Sequence, residues 1–186
     1  MEVRTLRFVT RLEDENPVSL RSCLTALILT AASAAPVLAQ QEPEFRGEYS
    51  DWRVFTRAGE TGLVCYALSR PTDSTPRAHD HGTVYFIVAS WQSGAVEEQP
   101  NLLVGYDLRP TSPPEVRVGS DRFDMFTDGQ EGFLDDLEEE SDLVRAMKRG
   151  SSMRVTATTA SGVATSYEFS LSGVTAALQR VEALCS

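Results

Sequence analysis

Lysine, histidine and cysteine are all scarce in this 186-residue chain, and each scarcity closes off some chemistry. The 17 basic residues, of which Lys148 is the single lysine, face 27 acidic ones, for a net charge of −10. Nucleic acids and anionic membrane surfaces are gripped by clusters of lysine and arginine, so neither is an expected partner. The only histidines, His79 and His81, flank Asp80 in a polar stretch. A His-x-His pair can begin a copper or zinc site but needs a third or fourth ligand, and no further histidine exists to serve. No G-x-S-x-G elbow is present to frame a Ser-His-Asp triad. The expectation is an exposed turn at 79–81, with no cofactor and no metal.

Long apolar runs are scarce too. The one that exists, CLTALILTAASAAPVLA at residues 23–39, is short of the roughly 20 residues a spanning helix needs. Arg21 precedes it, the polar Gln40-Gln41-Glu42 follows it, and Val37-Leu38-Ala39 fits the small-x-small pattern of signal-peptide cleavage. Residues 1–39 therefore read as an N-terminal extension and signal peptide cut after Ala39. The mature protein is expected in the periplasm or outside the cell, with no membrane span. Cys23 opens the run instead of closing it, unlike a lipoprotein signal. Glu2, Glu13, Asp14 and Glu15 do not suit the short basic head of an export signal, which predicts a translation start near Val18. The leader holds four residues of each charge sign, so the mature chain keeps the full −10.

Removing the leader takes Cys23 with it and leaves two cysteines. In an exported protein an even pair predicts a disulfide, here between Cys65 and Cys185. Redox-active pairs favour C-x-x-C spacing, and these two stand at opposite ends of the domain.

Residues 40–50 are polar, include Pro43, and read as a flexible arm; residues 51–186 read as one β domain. Trp52, Val54 and Thr56 alternate, a turn follows at 58–62, and residues 63–69 return as the second strand of a hairpin. Residues 70–81, with Pro71 and Pro76, read as a surface loop. TVYFIVASW at 83–91 is uncharged and rich in β-branched and aromatic residues, and reads as a central strand buried on both faces. Leu102, Val104 and Tyr106 mark another strand, and two short ones flank Gly119. The last third is the most regular. Ser141 reads as a helix N-cap, with Leu143, Val144 and Met147 on one face and Gly150 as the stop. Alternation at 153–159 and 165–171 about Ser161-Gly162 predicts a hairpin. Val174, Ala177, Leu178, Val181 and Leu184 then recur at helical spacing. The fold class is mainly β: a single-domain antiparallel β-sandwich-like fold with two short helices near the C-terminus.

Three stretches invite a functional reading. With Gly129 set as the obligatory glycine of a calcium loop, Asp124, Asp128 and Asp135 fall at ligand positions. Phe126 fills another of them, however, so a hairpin turning at Asp128-Gly129 is preferred. Six carboxylates crowd residues 135–142. Asp135, Asp136, Glu138, Glu139 and Glu140 are the candidate patch for a basic protein partner, against a simply solvated face. Trp52, Trp91, Phe55, Tyr66, Tyr85 and Phe86 could line a ligand groove, but their strand positions favour core packing.

The segments Ala146-Met147-Lys148-Arg149-Gly150 and Phe169-Ser170-Leu171-Ser172-Gly173-Val174, with a hairpin between them, resemble the invasion-associated locus B family of exported bacterial proteins. Asp51-Trp52-Arg53-Val54-Phe55, FDMFTDG at 123–129 and the final Cys185 are similar to it as well. Many members carry a further cysteine pair just ahead of the first helix, where this chain reads FTDGQEGFLDDLEEE. The resemblance implies an exported, non-enzymatic protein and brings no catalytic residue. The expected function is macromolecular binding, in envelope maintenance or host-cell contact. The alternative is a periplasmic hydrolase with a site assembled from scattered Ser, Asp and His residues.

Overall fold

The computed structural model of the protein describes residues 42–186, so the expected leader and its cleavage lie outside the described residues. In chain order the elements are β1 (Glu44–Tyr49), β2 (Trp52–Gly59), β3 (Gly62–Ser69), β4 (Asp73–Thr75), β5 (Tyr85–Trp91), β6 (Gln99–Leu103), β7 (Glu115–Val118) and β8 (Asp121–Asp124). Then come β9 (Phe126–Asp128), β10 (Glu131–Phe133), α1 (Leu137–Arg149), β11 (Ser152–Thr158), β12 (Ala164–Ser170) and α2 (Val174–Cys185). The strands form two antiparallel sheets, ordered β1-β2-β3-β5-β6-β10-β9 and β4-β12-β11-β7-β8.

Strand side chains alternate between faces, so each sheet offers one apolar set to the other. Trp52, Val54, Ala67, Phe86, Val88 and Leu102 of the larger sheet share one core with Val116, Met153, Val155, Tyr167 and Phe169 of the smaller. Phe86 and Phe169 meet edge-to-face across the gap with ring centroids 5.8 Å apart. Trp52, fully buried, donates its indole N–H to the Ser170 carbonyl at 3.0 Å and so ties the sheets together. The mainly β, sandwich-like architecture is the one the strand spacing predicts.

The last helix closes the core. Val174, Ala177, Leu178 and Val181 of α2 are buried against β1, β2, β3 and β5. Cys185 at its end is bonded to Cys65 on β3, with Cα atoms 6.0 Å apart and 120 positions between them in sequence. Gly173 caps the start of α2 at φ +87°, where an added Cβ would lie 2.0 Å from the Tyr49 carbonyl oxygen. Only glycine lets the chain turn into α2 against the β1–β2 corner.

Four expectations need correction. The flexible arm is a strand from Glu44 onward: β1 pairs with β2, through a bulge between Phe45 and Gly47, because an edge strand needs little apolar content. The loop at 70–81 contains β4, which adds to β12 at the edge of the smaller sheet. Helix α1 starts a turn earlier than Ser141 suggests. Asp136 is its N-cap, accepting from the backbone N–H groups of Glu138 and Glu139, while the Ser141 hydroxyl donates to the Leu137 carbonyl inside the helix. Finally, β5 is not buried on both faces. Phe86, Val88 and Ser90 point into the core, whereas Tyr85, Ile87, Ala89 and Trp91 are only half-buried on the outside.

Candidate functional site

The acidic run 135–142 has a local structural account. Asp136 caps α1, and Glu138 and Glu139 occupy its first turn, where the positive end of the helix dipole favours carboxylates. Asp142 pairs with Arg145 one turn on. Asp135, Glu138 and Glu139 are exposed, but Glu140 is 4% exposed and does not belong to a surface patch. Its carboxylate accepts from the Gln99 side-chain amide at 3.3 Å. Burial pushes its pKa above the ordinary carboxylate range, the Gln99 hydrogen bond opposes that, and nearby Asp136 adds to it. Asp124 and Asp128 fall on β8 and β9, and β9 pairs with β10 in the hairpin around Gly129, at φ +58°. No group of three potential metal ligands occurs among the described residues.

The histidines are not an exposed turn. Both are half-buried and fold onto the tyrosines of the core rim, with the His79 ring edge-on to His81 at 5.1 Å and to Tyr106 at 5.6 Å. His81 uses both ring nitrogens, Nδ1 with the Tyr167 hydroxyl at 2.9 Å and Nε2 with the Pro76 carbonyl at 3.1 Å. Tyr167 continues to Tyr106 at 2.8 Å, and Tyr106 to Thr165 at 2.7 Å. Desolvation and the Tyr106 hydrogen bond raise the pKa of the buried Tyr167 phenol above its usual value. Among the described residues no carboxylate contacts either imidazole, and Asp80 instead accepts from the Gly82 backbone. His79 Nε2 is enclosed and without a hydrogen-bond partner. This network anchors a loop to the sandwich; a nucleophile and its base are not assembled here.

The outer faces of the two sheets differ sharply. That of the smaller sheet is polar, with Arg154 paired to Glu168 and Glu115 to Arg117 and Arg122, as solvated antiparallel sheets ordinarily are. That of the larger sheet is apolar and aromatic. Register across it sets Phe45 beside Phe55, Tyr66, Ala89 and Gln99, and the neighbouring row runs Arg53, Leu68, Ile87, Asn101, Phe133 and Phe126. Phe55 stacks on Tyr66 at 5.8 Å, and Phe45 meets Phe55 edge-on at 5.5 Å. The small Ala89, with Trp91, Tyr66 and Ile87 around it, leaves a trough of about 490 Å³ from Arg57 on β2 to Phe133 on β10. Arg57 lines one end, Glu131 stands at the other, and two more arginines lie on the same face. Arg53 lies over the rings of Phe45 and Phe55, and Arg70 lies over Tyr85 and donates to its hydroxyl at 2.8 Å.

Core packing thus accounts for Trp52 and Phe86, as expected, but not for Trp91, Phe55, Tyr66 and Tyr85, which form this open face. The signal for it in the sequence is the lack of polar alternation in β5.

Comparison with known proteins settles the lineage. The sequence profile described as invasion associated locus B (IalB) protein matches residues 52–182. The chain belongs to the invasion-associated locus B family. A solved structure, that of invasion associated protein B from Bartonella henselae, has the same fold with a TM-score of 0.53 and 19% identity, covering 74% of this chain and 96% of that one. No curated protein matches by sequence. The C-terminal motifs of the IalB resemblance are occupied by packing. A Cβ on Gly150 would meet Val118 and Leu171 within 2.8 Å, Lys148 bonds Glu98 at 2.7 Å, and Gly173 makes the turn already described. These hold the fold together, whereas Arg53 and Phe55 of the Asp51–Phe55 motif and Phe126 of the 123–129 motif lie on the open aromatic face.

Proposed function

We propose that this IalB-family chain is an exported, non-enzymatic protein of the envelope or the extracellular space that acts by macromolecular binding. One observation carries the reading: the aromatic outer face of the seven-stranded sheet, a shallow trough open to solvent. Contiguous apolar patches of this kind on a soluble domain mark interaction sites, whereas enzymes converge polar groups in a deep cleft. The histidines support the same reading, since the hydrogen bonds of His81 are to a tyrosine and a carbonyl and, among the described residues, no carboxylate orients either ring. The alternative, a hydrolase assembled from scattered Ser, Asp and His residues, would need a carboxylate oriented on one of these rings. The net charge would steer a basic partner toward the exposed carboxylates Asp135, Glu138 and Glu139. The apolar area lies on the aromatic face instead, which makes that face the better supported contact surface.

The test uses mature protein immobilised and exposed to envelope extract, with Ala89→Arg, which fills the trough, as the comparison. Material retained saturably by the parent and lost with Ala89→Arg supports the reading. Retention unaffected by Ala89→Arg, or hydrolytic turnover abolished by changing His79 or His81, overturns it.

A further inference from the structure

The residues of the trough say which chemistry it suits, and this step rests on the binding reading above. We propose that the outer face of the larger sheet binds an acidic polysaccharide, a chain of sugar rings bearing carboxylates. Four features lead there. First, the floor lies across the middle of a sheet, where the backbone N–H and C=O groups are already paired between strands. An extended peptide docks by adding to an exposed edge, using those groups; a ligand on this face is recognised by side chains alone. Second, the side chains are flat rings and amides. Tyr66, Tyr85 and Trp91 present ring faces or edges at the trough, and Gln99 and Asn101 stand in the adjacent strand, each with one amide N–H already given, to Glu140 and Glu131. The C–H faces of a sugar ring stack on aromatic rings, and its hydroxyls exchange hydrogen bonds with amides.

Third, the cations lie on the β2–β3 side of this face. Although the chain is strongly acidic overall, Arg57 lines the trough there, and Arg53 and Arg70 follow at successive rows along the strands, while the one carboxylate of the lining, Glu131, stands at the far side on β10 and accepts from Asn101. Among the described residues Arg57 and Arg70 pair with no carboxylate, and Arg53 reaches Glu48 only at 3.9 Å. Arginines held over aromatic rings offer their remaining N–H groups to a carboxylate. Fourth, the trough crosses β2, β3, β5, β6 and β10, about 19 Å at the usual strand spacing. That length suits several rings of a chain and exceeds what a lone monosaccharide would fill.

The experiment titrates mature protein with polygalacturonate, with dextran as the neutral polysaccharide and poly-glutamate as an acidic peptide, by calorimetry at two salt concentrations. Polygalacturonate binding is expected to exceed both controls. It should fall about tenfold in Trp91→Ala and be lost in Ala89→Arg. Arg57→Gln should weaken it and flatten its salt dependence. Each variant is first shown to keep the parent's thermal midpoint, and any that does not is replaced by Ile87→Arg on the same floor. Equal binding of poly-glutamate, or binding unchanged by Trp91→Ala and Ala89→Arg together, overturns the proposal. Self-association of the protein that Ala89→Arg abolishes would overturn it as well, by assigning the face to a second copy. If no polysaccharide binds while envelope material is still retained through this face, the glycan assignment fails and the binding function stands. If neither occurs, both fall.

Discussion

Replacing Gly173 by alanine should be among the most damaging single changes available in this domain, and its cost separates into two parts. The first is conformational. At φ +87° and ψ −5° the residue is in left-handed territory, which costs an L-residue roughly 1–2 kcal/mol. The second is steric. The new Cβ would lie 2.0 Å from the Tyr49 carbonyl oxygen and 2.6 Å from its carbon, and a backbone carbonyl cannot swing aside as a side chain can. Relief requires shifting either α2 or the β1–β2 corner, whose Asp51 N–H bonds the Ser172 carbonyl at 3.3 Å. Overpacking of this sort adds roughly 1–3 kcal/mol, for a total of about 2–5 kcal/mol. A control isolates the second part: Gly94 has φ +72° but nothing within 4 Å of the place an added methyl would take, so Gly94→Ala carries the strain alone. Urea unfolding of both variants, with the disulfide intact, should put Gly94→Ala about 1 kcal/mol below the parent and Gly173→Ala well below that. Equal losses in the two would refute the steric argument and with it the close seating of α2 on the β1–β2 corner.

Cys185→Ser should lower stability by roughly 2–4 kcal/mol, within the ~4.7 kcal/mol that the chain-entropy account allows a loop of this length, and the difference from parent should vanish under reducing conditions. Leu178→Asp places a charge where the parent is 1% exposed and should cost several kcal/mol, read as a drop in thermal midpoint; an unchanged midpoint would exclude α2 from the core. Glu140 has a raised pKa in the folded state, so the folded form holds the proton more tightly than the unfolded one. Its contribution is therefore fully present below the ordinary carboxylate pKa and is lost as pH rises through the raised folded value. Glu140→Gln should be at least as stable as the parent at pH 7 and should show a flatter stability profile between pH 4 and neutrality, at about the range where carboxylates titrate. A steeper profile would contradict the burial argument.

The legible parts of this fold are those that local rules specify. The β2–β3 and β11–β12 hairpins, the apolar stripe of α2 and the Cys65–Cys185 bond all follow from spacing and parity. The parts that escape such rules depend on neighbours. β1 is polar and pairs only because β2 offers it an edge. Glu140 belongs to a like-charge run, and nothing in the run marks it as the carboxylate that faces Gln99 across the chain. His81 looks like a loop residue until Tyr167, 86 positions away, receives it. The start of α1 turns on a choice between two good caps. Asp136 wins because its carboxylate accepts two backbone N–H groups, while Ser141 bonds back into the helix.

The departure at β5 is the most informative, because it bears on function. An uncharged strand announces that water is unwelcome on both of its faces, and sequence cannot say whether the cover on each comes from the same chain. Within the described residues one face of β5 is covered by the smaller sheet and the other by nothing. The covered face holds Phe86 and Val88; the open one holds Tyr85, Ile87 and Trp91, side chains of at least equal bulk. If the open face were merely a tolerated surface, polar side chains would serve it as well as they serve Thr156 and Ser166 on the other sheet. The rows of rings on it make sense if something outside this chain completes the layer. Of the family motifs, those at Gly150 and Gly173 are consumed by packing, whereas Asp51–Phe55 and 123–129 carry Arg53, Phe55 and Phe126 onto the open face. The residues that identify the family thus build the sandwich, and through Arg53, Phe55 and Phe126 they also reach its aromatic outer face.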